Sequence, residues 1–274
     1  MSNHEKIDGI LSNIDERIDD FLDYFNPIYR RISGNYLGLI GVFIASISIT
    51  IAFFLYMTVD PSFSPFTHWI SQLGIGPNGA NLVFNIGISI SSVLIFFFYI
   101  YHIRETRKRL SNKFIINLLL GSVIVTCVGL IFVAIFPYNI PFLHGLAANV
   151  FFFGGMLSCL LYSIMVLMTP KISKIQALIG FFTVAIFLFH IINSLVSSFF
   201  SKLEASEFDA ELTKFSEWLA LFAILFLILE NIVYSFSDNY RLRKQAQEFL
   251  IDCNYHMSID NIYKLRKFVQ LLKT

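Results

Sequence analysis

Three histidines, two carboxylates and a serine stand out in a chain that is otherwise mostly apolar: His68, His144, His190, Asp60, Glu217 and Ser71. A neutral imidazole accepts a proton at pH 7, and a serine hydroxyl becomes a nucleophile once a base takes its proton. His144, His190, Glu217 and Ser71 are therefore candidate catalytic residues of a hydrolytic or group-transfer site, with His144 or His190 as general base toward Ser71 or water. Imidazole and carboxylate also suit zinc, which makes His68, His144 and His190 the alternative ligands of a metal centre, although no linear pair such as HxxxH enforces it. Asp60, His68, Asn85 and Asn193 offer hydrogen-bonding groups to a bound molecule. Each histidine also has a plainer role, as a hydrogen-bonded residue near a membrane interface. Glu217 with Trp218 reads equally as a boundary anchor, tryptophan being favoured at that depth.

The elements that would bring these residues together are membrane spans. The 274 residues are 56% hydrophobic and 14% charged, with 31 phenylalanines, too apolar for a soluble domain of this size. An α-helix needs about 20 apolar residues to cross the hydrocarbon core. Six runs qualify: Tyr36 to Met57, Asn81 to Tyr101, Phe114 to Phe136, Leu143 to Met168, Ile175 to Phe200 and Trp218 to Ser237. A β-barrel would show shorter, alternating segments, so the expected fold is an all-α, six-helix transmembrane bundle, multi-pass in the cell membrane.

Lysine and arginine are retained on the cytoplasmic side. They cluster before the first run (Arg30, Arg31), between the second and third (Arg104, Arg107, Lys108, Arg109, Lys113), between the fourth and fifth (Lys171, Lys174) and after the sixth. Lys202 and Lys214 fall on the other side, outweighed by Glu204, Glu207, Asp209 and Glu211. Both termini are thus expected inside. The first apolar run is too long for a signal-peptide core and is expected to stay in the protein. Cys127, Cys159 and Cys253 form neither a disulfide framework nor a CxxC knuckle. A net charge of +1 gives no electrostatic footprint for nucleic acid.

With that orientation the polar residues fall in one layer. His190 lies some 15 residues along the fifth span, roughly 22 Å into a core of about 30 Å. His144 opens the fourth helix after Pro137 and Pro141, Glu217 begins the sixth, and Asp60, His68 and Ser71 sit on the outer loop 60–74, which contains no lysine or arginine. His144, His190 and Glu217 are expected to converge beneath that loop. Elsewhere in the spans, Asn81, Asn85, Ser89 and Ser92 share one helical face and suit helix–helix hydrogen bonding. Gly34, Gly38, Gly41 and Ala45, and Gly154 with Gly155, read as close-packing surfaces. Glu230 with Asn231 is a second polar spot, its partner unidentified.

The two ends divide the chain into residues 1–33, an amphipathic helix; 34–237, the transmembrane domain; and 238–274, a helical tail. Ile7, Leu11, Ile14, Ile18, Phe21 and Phe25 form one stripe, with Asp8, Asp15, Glu16, Asp19, Asp20 and Asp23 elsewhere on the helix. An acidic face is repelled by anionic headgroups, so the stripe is expected to pack on protein. A second stripe, Ile259, Ile262, Leu265, Phe268 or Val269, and Leu272, opened by Ser258 as N-cap and flanked by Lys264, Arg266 and Lys267, is its expected partner, within a subunit or across a homo-oligomer.

The run His68-Trp-Ile-Ser-Gln-Leu-Gly74, followed by Asn81-Leu-Val-Phe-Asn85-Ile-Gly87, Ile135-Phe-Pro-Tyr138 and Pro141-Phe-Leu-His144, resembles the prokaryotic membrane proteins of domain-of-unknown-function family 998. The resemblance covers roughly Tyr36 to Ser237; its Ser-x-Leu-Gly element falls on Ser71, Leu73 and Gly74, its Phe-Pro element on Phe136 and Pro137, and its histidine on His144. These proteins are distantly similar to the FRAG/DRAM/SFK group of six-span proteins, which includes a remodelling factor for glycosylphosphatidylinositol lipids and modulators of autophagy and of lipid asymmetry. The resemblance implies six spans and a connection to membrane lipids, with no settled activity.

Residues and resemblance together favour a protein that binds or acts on membrane lipid through an outward-facing polar pocket. A membrane-embedded lipid hydrolase or transferase, with a His/Glu/Ser site or zinc, is the alternative. A small-solute transporter is a third, for which a continuous charged path and an internal repeat would be expected; neither is evident in the sequence.

Overall fold

The computed structural model of the chain describes residues 3–110, 113–169, 172–200 and 207–255. These residues form helices α1 (Asn3–Tyr24), α2 (Asn26–Tyr29), α3 (Gly34–Met57), α4 (Ala80–Arg107), α5 (Phe114–Ile135), α6 (Pro141–Met168), α7 (Lys174–Phe200) and α8 (Glu207–Tyr255), with a 3₁₀ segment Ile70–Ile75 between α3 and α4. Helices α3 to α8 each contain a stretch long and apolar enough to cross a membrane. In hydrocarbon every backbone polar group must be bonded within its own segment, and a continuous helix meets that demand. Pro141, in the first turn of α6, lacks the N–H that would be unsatisfied there anyway.

Two compact units divide the chain at Glu230: residues 1–230 and 231–274. The described part of the second is the continuation of α8 to Tyr255. The stripe from Ile259 to Leu272 lies outside the described residues.

Neighbouring spans run antiparallel, and small or hydroxylated residues stand at the contacts from α3 through α7. Gly34, Gly38 and Gly41 of α3 face Tyr101, Phe98 and Ile95 of α4 in reverse order, and the Ser91 hydroxyl donates to the Gly41 carbonyl at 2.8 Å. Ser92 donates to the Cys127 carbonyl of α5 at 3.0 Å. Ser158 of α6 bonds the hydroxyls of Thr126 and Ser122 on α5. Gly155 of α6 meets the ring of Phe187 on α7. At the basic end of the bundle Gln176 of α7 reaches Glu230 of α8 at 3.4 Å, which supplies the partner that the sequence left open. The glycine-rich faces expected to join helices do so; of the expected polar face of α4, Ser92 joins α5 while Asn85 turns to the loop at Gly74.

At Gly129 the neighbour is backbone rather than side chain. A Cβ there would lie 2.7 Å from the backbone nitrogen of Phe151, an atom that cannot rotate aside. Gly129→Ala is expected to separate α5 from α6 and cost about 1–3 kcal/mol, read as a lower unfolding midpoint in detergent. Gly121→Ala on the same helix, with nothing within 4 Å of the added carbon, should be neutral or slightly stabilising because alanine is the better helix former.

The acidic face of the N-terminal helix meets the bundle. Arg107 at the end of α4, only 3% exposed, donates to Asp19 at 2.7 Å and to Asp15 at 2.9 Å and also bonds Asn117. Asn117 in turn donates to Asp15 at 2.8 Å. Lys113 pairs with Asp19 at 2.9 Å and Arg104 with Asp23 at 3.2 Å. Leu22 is buried, and Phe25 packs edge-on against Phe96 and Phe97. Ile14 and Phe21, both on the apolar stripe, are 44% and 39% exposed; the expected partner stripe, Ile259 to Leu272, lies outside the described residues.

Candidate functional site

Residues 58–79 connect α3 to α4 at the end of the bundle opposite Arg107, and they form a fixed cap. Asp60 accepts from the amide and hydroxyl of Ser62, the local turn expected of an aspartate. Those bonds, with a smaller contribution from His68, hold its carboxyl below the usual carboxylate range. His68 places Nε2 3.3 Å from Asp60 and its other ring nitrogen 2.9 Å from the Thr67 hydroxyl. Phe63, 1% exposed, is stacked between Tyr56 and His68, with Phe53 and Trp218 at its edges.

Glu217 and Trp218 fasten this cap to α8. The Ile70 amide donates to Glu217 Oε2 at 2.9 Å, Ser71 lines the same cavity as that carboxyl, and Trp218 Nε1 donates to the His68 carbonyl at 2.9 Å. The amides at the start of the 3₁₀ segment have no partners of their own, and an acceptor placed there is favoured by both hydrogen bonding and the local dipole. Asn85 closes the far side by donating to the Gly74 carbonyl at 2.9 Å. A Cβ on Gly74 would lie 2.7 Å from the Asn85 amide oxygen, so only glycine fits there without a shift.

This geometry changes the reading of Glu217. It was expected to begin the sixth span at the surface, yet α8 begins at Glu207 and Glu217 lies well inside it, buried. The polar run before Trp218 looks like loop, but glutamate, alanine, leucine and lysine are good helix formers and carry the helix through it.

His190 and His144 each have a hydrogen-bond partner of their own. His190 is buried, with its ring 4.1 Å from that of Phe152. The Ser216 hydroxyl gives its proton to the Thr213 carbonyl at 2.7 Å, so it must accept from His190 Nδ1–H at 2.9 Å. His144 donates Nδ1–H to the Phe136 carbonyl at 2.8 Å. Both rings are thereby set with the proton on Nδ1 and a lone pair on Nε2. Ser216 adjoins Glu217 in sequence, which brings His190 near the cap, but His190 serves Ser216 and Ser71 lies against Glu217. Among the described residues no group of three or more histidines, cysteines or carboxylates could hold a metal ion. The amide of Asn193 turns back to the Phe189 carbonyl of its own helix.

Beneath the cap lie two adjoining cavities, each with about 30 Å³ of free space. The upper is lined by Ile70, Ser71, Phe84, Ile88, Leu130, Val133, Ala148, Phe151, Phe152, Glu217 and Leu221. The lower shares Ile88, Leu130, Phe151 and Leu221 and continues past Ser91, Ser92, Thr126 and Ser158 to Ile228. Of the residues singled out from sequence, Ser71 and Glu217 stand on these walls. The apolar wall was missed: Leu221, Ile224 and Ile228 continue the Glu217 face of α8 at helical spacing, but a span that is apolar on all sides does not reveal which face borders a cavity.

Cap, carboxyl and axial cavity define the class as a six-helix, multi-pass membrane protein with a polar-ended cavity between its helices. The chain belongs to the family described as Protein of unknown function (DUF998), whose model matches residues 39–235. No curated protein and no solved structure matches the chain.

Proposed function

We propose that the protein binds a membrane lipid, taking one acyl chain into the axial cavity with the polar end of that chain beside Ser71 and Glu217. The supporting observation is the shape and lining of the cavity. From Glu217 through Leu221 and Ile224 to Ile228 it follows one face of α8 for about 16 Å, it is narrow, and its walls are mostly hydrocarbon. Two spaces of about 30 Å³ each hold little more than a water molecule, so the helices must part to admit a chain; their hydrocarbon walls suit a slender apolar chain better than a bulky headgroup. In this reading the basic end of the bundle is cytoplasmic, the capped end faces outward, and the lipid comes from the outer leaflet. The resemblance to six-span proteins connected with lipid remodelling points the same way.

A second reading, a lipid hydrolase or transferase, draws on His144 and His190, whose Nε2 lone pairs are those of a base or a metal ligand. Ser71 would then have to leave Glu217 and meet one of these rings, or a metal would have to draw them together.

The test is mass spectrometry of lipid extracted from protein purified in mild detergent. Wild type should retain about one lipid per chain, and Leu221→Trp, which fills both cavities, should lower retention tenfold or more while the protein stays folded and monodisperse. Equal retention in the two proteins would refute cavity binding; release of a cleaved lipid, lost in His190→Ala, would favour the enzyme.

A further inference from the structure

We infer that α1 lies on the flank of the bundle with its apolar stripe immersed in the lipid leaflet at the basic end. At 3.6 residues per turn, α1 presents three faces roughly a third of a turn apart. Asp15, Asp19, Leu22 and Asp23 face α4 and α5, where Arg107, Lys113, Asn117 and Arg104 engage the acids. Glu16 and Asp20 lie on a second face, exposed. Ile14, Ile18 and Phe21 form the third, and Ile14 and Phe21 are large apolar groups left open by the bundle.

Two observations identify what covers that third face. The first is height. Phe25 packs on Phe96 and Phe97, and the Tyr29 hydroxyl donates to the Phe97 carbonyl at 2.8 Å, about 15 Å along α4 from Arg107. Because α4 is a span, α1 climbs beside it to the level of the hydrocarbon, and α2 leads directly into the next span at Gly34. The second is charge. The repulsion of an acidic helix by anionic headgroups is the reason to expect it on protein, yet three of its acids are neutralised by cations of the bundle. Arg30 and Arg31, both exposed at the junction with α3, are placed to meet phosphate. An interfacial helix with its apolar side down and its remaining polar side in water is the arrangement that results.

The experiment uses full-length protein in vesicles of phosphatidylethanolamine and phosphatidylglycerol, with Cys253→Ser and the buried Cys127 and Cys159 left in place. Single spin labels are attached at Ile14→Cys, Phe21→Cys, Glu16→Cys and Asp20→Cys. Labels at 14 and 21 should be several-fold more accessible to oxygen, relative to a water-soluble nickel chelate, than labels at 16 and 20. Equal nickel accessibility at all four would place the stripe in water and overturn the inference. Shielding of 14 and 21 from both reagents would overturn it in favour of protein, either a second copy or the segment 259–272.

Discussion

Arg107→Ala should detach α1 from the bundle. The guanidinium is almost fully buried and is the common partner of Asp15, Asp19 and Asn117. Removing it leaves two carboxylates and an amide facing each other without their principal cation. For a fully buried pair such a loss costs about 3–5 kcal/mol. Here Asp15 and Asp19 are 34% and 46% exposed, so water recovers part of that, and about 2 kcal/mol is expected. That corresponds to a roughly 30-fold rise in the open population, measurable as faster tryptic cleavage at Arg17 in the native protein. Arg107→Lys keeps the charge but not the planar fork, and should fall between. Cleavage at the wild-type rate in Arg107→Ala would show that the clamp does not hold the helix.

The same clamp has a defined pH dependence. Asp15 is held below its usual value first by the hydrogen bond from Asn117 and then by Arg107. For Asp19 burial acts in the opposite direction, and the bonds from Arg107 and Lys113 outweigh it. A carboxyl depressed in the folded state stabilises above its unfolded value, near 3.9, and that stabilisation is lost as pH falls through the folded value. The clamp should therefore be constant from neutrality down to about pH 5 and open only below about pH 4. Arg107→Ala should flatten that acid limb; an opening transition near pH 6 would contradict the assignment to these carboxyls.

Glu217→Ala should have the other large effect, on the cap. It leaves the buried Ile70 amide without its acceptor, a loss of about 1–3 kcal/mol, and removes one of two side-chain bonds by which α8 holds the segment. Hydrogen exchange across residues 60–75 should rise about tenfold or more, with the spans unchanged. Glu217→Gln retains an acceptor oxygen and should keep most of the protection. Trp218→Phe, which loses the bond to the His68 carbonyl but keeps ring contact with Phe53 and Phe63, should be intermediate. If Glu217→Gln preserves the cap but abolishes lipid retention, the carboxyl also acts on the ligand; if both variants retain lipid equally, its role is confined to holding the cap.

Much of the architecture follows from sequence alone. Six continuous apolar runs of sufficient length determine six helices, because in hydrocarbon the other way to bond the backbone, a closed barrel, needs shorter alternating strands. Glycines spaced by three and four residues identify the faces where α3 meets α4. The acidic and apolar periodicities of α1 determine that it is an amphipathic helix. What covers each face was decided by the tertiary structure. Sequence places the apolar stripe on protein and gives the acids no partner; Arg107, some 90 positions away, claims Asp15 and Asp19. Sequence places Glu217 at the surface where the sixth span opens; the structure buries it and gives it the Ile70 amide, 147 positions away in sequence, while His144 and His190 each bond an acceptor of their own. Asp60 and His68 serve the loop that carries them. The physical reason is common to these cases. Local pattern specifies an element and its faces, but a span apolar all round leaves its rotation free, and only packing against neighbours sets it. Polar side chains inside the bundle then take whichever donors and acceptors that rotation brings near.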